Sequence, residues 1–139
     1  MSAATSQSHP RSTVVNPYDA RLHYATSPEA WATLRRRFGQ TSEVPTSIGR
    51  TDRFWDSRTG RTHMLVWVDV AKHTDAPALL CTIAHEGYHA AAGLLEGLHQ
   101  TLDESEAVAY LVDWTTGWLV RHTPGLVVTL APPEAEETP

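Results

Sequence analysis

A single cysteine, Cys81, rules out an internal disulfide, and no apolar run approaches the roughly 20 residues a membrane-spanning helix requires. Basic charge is also scarce. Eleven Lys plus Arg face sixteen Asp plus Glu, a formal charge of -5. That is the wrong sign for a general phosphate-binding surface, so no nucleic-acid partner is expected. The opening stretch MSAATSQSHPRSTVV lacks the apolar segment of a secretion signal, which points to a cytoplasmic protein without membrane association. Repeats and heptads are absent. What remains is a 139-residue chain with 41% hydrophobic and 19% charged residues, a size and balance suited to one globular domain.

Residues 1–13 are mostly Ser, Thr, Ala and Gln without apolar periodicity and read as a flexible arm. The acidic, Pro-rich 132–139 reads as a disordered tail, which leaves 14–131 as the domain. Ser27, Pro28 and Glu29, followed by Ala30, Trp31, Leu34 and Phe38, supply the cap, first-turn proline and apolar stripe of a helix that Gly39 ends. A loop then runs to about Ile48. Residues 50–70 predict a β-hairpin, with the turn at Asp56-Ser57-Arg58-Thr59-Gly60 and a β-branched, aromatic second strand from His63 to Val70. From Asp75 to near Leu95 the pattern is helical, and Asp103 to about Val120 forms the last long helix. Val127, Val128 and Leu130 suggest a short final strand. The expected class is α+β, with a small antiparallel sheet beside two long helices.

The segment that carries chemistry is His85-Glu86-Gly87-Tyr88-His89, an H-E-x-x-H run inside an apolar helix. Residues i and i+4 lie one turn apart on one helix face, so both imidazoles can reach one metal ion, and Glu86 is offset toward the metal's water. Zinc lowers the pKa of that water to about 7, and the adjacent carboxylate can take its proton and pass it to a leaving amine. The flanking Thr82, Ile83, Ala84 and Ala90, Ala91, Ala92 suggest a largely covered helix, in which unpaired polar groups would be costly.

Two side chains leave zinc short of a ligand. A continuation with Gly and His at the third and sixth positions after His89 is excluded, because Ala92 and Leu95 stand there. The following segment, Asp103 to Tyr110, offers Glu104 and Glu106. Glu106 is preferred because Ala109, one turn on, lets the helices approach closely. Either carboxylate could instead be solvated at a helix start. His99 is a further candidate ligand.

H-E-G-Y-H, a short linker and E-A-V-A-Y together resemble the small gluzincin-type zinc metallopeptidases, or minigluzincins, including bacteriophage-encoded ones, over about residues 65–120. The resemblance implies a minimal gluzincin core in which His85, His89 and Glu106 ligate Zn2+ and Glu86 acts as general base and acid. The substrate it implies is a peptide or protein. Tyr110 departs from the pattern, since many gluzincins carry Asp or Asn four residues after the third ligand. Asp113 could support the site from one turn further.

The remaining residues invite structural readings. Tyr88 reads as a packing residue, Cys81 as inert core, His63 and His73 as surface or turn histidines, and Trp114 and Trp118 with Leu111 as a core stripe. Strand Met64 to Val70 is expected to border the cleft and pair with an extended substrate. Two alternatives stay open: a non-catalytic binding module stapled by zinc, and a zinc hydrolase of a non-peptide amide.

Overall fold

The computed structural model describes residues 9–16, 18–97 and 105–126. Strand β1 (Arg11–Val15) is followed by β2 (Ala20–Ala25), and Asp19 takes the left-handed conformation at φ 50° in the turn between them. Helix α1 (Pro28–Arg37) begins as its sequence dictates, with Ser27 Oγ accepting from the Ala30 N–H at 3.2 Å. Next come β3 (Gly49–Asp56) and β4 (Arg61–Val68), joined by a turn in which Gly60 adopts φ 69°, where an L side chain would be strained. A short 3-10 turn (Val70–Lys72) leads to α2 (Ala76–Gly97) and α3 (Ser105–Arg121). The suggested strand at Val127, Val128 and Leu130, the tail 132–139, His99 and Glu104 lie outside the described residues.

The class is α+β, but the sheet is mixed and not antiparallel throughout. Its order is β1-β2-β4-β3, with β2 and β4 parallel and both outer pairs antiparallel. The parallel pair joins segments separated by α1 and β3, so no local turn signal announces it. Neither β1 nor β2 was expected. Strand β1 presents mostly exposed residues and buries only Val15, which leaves little alternation to read, and its first three residues fall inside the segment read as an arm.

One sheet face, with Leu22, Tyr24, Met64, Val66 and Val68, packs against Leu79, Ile83, Ala90 and Leu94 of α2 and Leu111 and Leu119 of α3. The other face packs Ala25, Leu65 and Trp67 under Ala30, Trp31 and Leu34 of α1. Strand β4 is covered on both faces, which explains its nearly continuous apolar run. It is also flanked by β2 and β3, which corrects the expectation that it borders the cleft. The free sheet edge beside α2 belongs to β3.

Candidate metal centre and its cleft

Helix α2 turns Leu79, Ile83, Ala90 and Leu94 inward, and a residue two positions from an inward one points away from the core. His85, Tyr88 and His89 are therefore exposed, with Cys81 one turn before them on the same open side. This corrects the picture of a covered motif, since only Glu86 and Gly87 within it are buried. Cys81 is not core but lines the cleft, and Tyr88 is 48% exposed with its ring edge-on to His89. Trp118 and Leu111 are core as expected, with Trp114 packed against them.

His85 Nε2 and His89 Nε2 lie 3.1 Å apart. A second histidine pair shows what this geometry means. His23 Nε2 and His63 Nδ1 are closer, at 2.9 Å, yet their ring centroids are farther apart, 5.2 Å against 4.7 Å, and their planes differ by only 17°. His23 and His63 thus meet end to end, as in a hydrogen bond. His85 and His89 also stand within hydrogen-bond distance, but with rings inclined at 73° and centroids closer than an end-to-end contact would leave them. Two zinc-bound nitrogens at about 2.0–2.1 Å in tetrahedral geometry stand about 3.3–3.4 Å apart, so this pair would need to open by only a few tenths of an ångström to hold the metal.

Glu86 is seated against β3. Its Oε2 accepts from Thr51 Oγ1 at 2.5 Å, and a Cβ on Gly49 would stand 2.8 Å from its Oε1. Glycine at 49 is what lets the carboxylate lie against the strand. The seat opens onto a cleft of about 350 Å3 lined by Ile48, Gly49, Cys81, Thr82, His85 and Glu86. Sequence reading missed Thr51 and Gly49, because nothing local to β3 reports which residue of a distant helix it meets.

Helices α2 and α3 touch closely at Gly87, where a Cβ would come within 3.3 Å of the Thr116 Cα, and Thr115 Oγ1 donates to the Gly87 carbonyl at 3.0 Å. His89 lies two residues from that contact toward the linker, about 3 Å of rise, whereas Glu106 lies ten residues from Thr116, about 15 Å. Glu106 is exposed and shares a shallow depression with Tyr110 and Asp113. Among the described residues, no group of three or more His, Cys, Asp and Glu is arranged to hold a metal, so Glu106 does not join the histidine pair there.

Three further histidines, His73, His63 and His23, are hydrogen-bonded elsewhere. His73 Nδ1 donates to the Asp69 carbonyl at 2.6 Å and Nε2 accepts from Thr82 Oγ1 at 2.8 Å, tying the 3-10 turn to α2. His63 is a half-buried strand residue, not a surface one, on the sheet face opposite the cleft. It continues a chain from Ser12 Oγ to His23 Nδ1, 2.7 Å, and on to His63. Burial, with the nearby His63 and Arg37, lowers the His23 pKa to about 4.

Among the described residues, no helix is long and apolar enough to cross a membrane. No protein-family model, curated protein or solved structure matches the chain.

Proposed function

We propose that the chain is a zinc-dependent peptidase of the gluzincin type. The observation that carries this reading is the convergence of His85 Nε2 and His89 Nε2 at 3.1 Å on an open helix face, with Glu86 between them lining a cleft. Zinc bound there would supply Lewis acidity and a water ionisable near neutral pH. The chain's own residues do the rest. Glu86 takes a proton and later delivers it to the leaving amine, while Thr51 holds Oε2 and leaves Oε1 to carry that proton. The outer edge of β3, which among the described strands pairs only with β4, offers backbone groups to an extended peptide.

The third ligand comes from the carboxylates of α3. The sequence pattern selects Glu106, and Asp113, three residues from Thr116 at the Gly87 contact, lies nearer the histidines along the helix axis; neither carboxylate meets the pair in this arrangement, so either would have to move to join it. An open pair beside a cleft and a carboxylate also weigh against a purely structural zinc staple.

The test compares the parent chain with His85→Ala, His89→Ala and Glu86→Gln for zinc content and for hydrolysis of a mixed peptide library. The histidine variants should lose zinc. Glu86→Gln should keep zinc and lose about two to four orders of magnitude in rate. A parent chain that takes up no zinc, or a Glu86→Gln variant with undiminished turnover, would refute the reading.

A further inference from the structure

A second cavity, of about 150 Å3, lies where the start of β1, the end of β2 and the last turn of α3 meet, and it shares no lining residue with the metal cleft. Among the described residues its wall carries Arg11, Arg121, His9 and His122, together with the hydrogen-bonded hydroxyls of Tyr24 and Thr123, and no carboxylate. This concentration is unusual in a chain of net charge -5. Arg21, Arg35, Arg50, Arg53, Arg58 and Arg61 each pair with Asp or Glu, whereas among the described residues Arg11 and Arg121, like Arg36 and Arg37 at the end of α1, form no ion pair.

The end of a helix ordinarily repels an anion through its free carbonyls. Here those of Leu119 and Val120 are occupied. The Leu119 carbonyl accepts from the His122 N–H and from Thr123 Oγ1, and the Val120 carbonyl accepts from the Thr123 N–H. The charged and ionisable residues lining the cavity are two arginines and two histidines, beside Tyr24 and two threonines. The His122 ring is set against Trp118, with centroids 4.6 Å apart.

We propose that this cavity binds a small dianionic oxyanion of the phosphate or phosphomonoester class, gripped by Arg11 and Arg121 with His122 as a further donor. Two guanidiniums match two negative charges and the spread of tetrahedral oxygens. The volume, about 150 Å3, accommodates such an oxyanion with a short substituent.

Binding is coupled to protons. Burial first, then Arg11 and Arg121, hold the His122 pKa below the usual histidine value. The groups facing it are His9 and Arg11 from the start of the chain and β1, Tyr24 from β2, and Arg121 beside it on α3. Burial raises the Tyr24 pKa, so its hydroxyl stays neutral. A bound dianion offsets the two guanidiniums and draws a proton onto His122, so affinity should rise as pH falls through the histidine range.

Calorimetric titration of the full chain at fixed ionic strength tests the site, with inorganic phosphate and sulfate as probes. Sulfate remains dianionic across the range, so its pH dependence reports the protein alone. Saturable binding of one ion per chain is expected. Arg11→Ala and Arg121→Ala, both at exposed positions, should each weaken it about tenfold or more, the scale of a charge-assisted hydrogen bond. Sulfate should bind more tightly at about pH 5.5 than at about pH 7.5, and His122→Asn should remove most of that difference. No saturable binding, or unchanged affinity in both arginine variants, would overturn the site. A pH dependence unchanged by His122→Asn would overturn the part given to that residue.

Discussion

Thr51 and Glu86, 35 residues apart in the chain, are joined by a 2.5 Å hydrogen bond from hydroxyl to carboxylate across the boundary between β3 and α2. The same hydroxyl lies 3.3 Å from the Glu86 carbonyl, so one threonine fixes both the side chain and the backbone of the motif's acidic residue. The bond ties the helix that carries the histidines to the free sheet edge.

Removing that hydroxyl should destabilise the fold. Glu86 is 5% exposed, and Thr51→Val would leave a buried carboxylate without this partner, at a cost of about 1–3 kcal/mol. Thr51→Ser retains the donor and should recover most of the loss. Urea unfolding midpoints at neutral pH make the comparison, and equal midpoints for the two variants would show that the bond contributes nothing.

Two glycine-to-alanine changes should have opposite signs. At Gly87 the new Cβ would press on Thr116, 3.3 Å from its Cα and closer still to its hydroxyl, and overpacking of this kind costs about 1–3 kcal/mol. Gly117, inside α3, meets nothing nearer than Arg121 at 3.6 Å, so alanine there should add about 0.5–1 kcal/mol through helix propensity. Thermal melts of the two variants test this. A Gly87→Ala variant at least as stable as the parent would disprove the close helix contact.

Acid should weaken the fold through His23. Its folded pKa, about 4, lies below the unfolded value near 6.5, so the unfolded chain binds the proton more readily. The contribution is complete above about pH 6.5 and is lost as pH falls toward 4, up to about 3 kcal/mol in all. His23→Gln, which cannot titrate, should lose less stability between neutral and acidic pH than the parent. Chemical denaturation at several pH values measures the slope; identical slopes would exclude His23 as the source.

The third zinc ligand can be assigned by difference. Asp113→Ala should weaken zinc binding by an order of magnitude or more if the contact at Gly87 sets the helix register in the metal-bound chain. Glu106→Ala should then have little effect. Zinc affinities from chelator competition decide between the two, and a large loss confined to Glu106→Ala would mean that α3 moves along α2 when metal binds.

Local order was legible where one periodicity governs a continuous stretch. Ser27 and Pro28 announced α1, Gly60 marked the hairpin turn, and the apolar spacing from Leu79 to Leu94 marked α2. Strands β1 and β2 were not legible. The partner that gives β2 its place is β4, with Leu22 set opposite Met64, and no feature of either segment names the other.

The sequence by itself determined the three helices, the β3–β4 hairpin and the one-turn spacing of His85 and His89, because each depends on interactions within a few residues. Tertiary structure alone decided which helix face stayed open, that Glu86 would rest on Gly49 and Thr51, that β3 would be the free edge, and that Arg11 would meet Arg121 and His122 around one cavity. Burial and charge proximity are properties of segments brought together from distant parts of the chain. They arise when the sheet order is set by packing both of its faces at once.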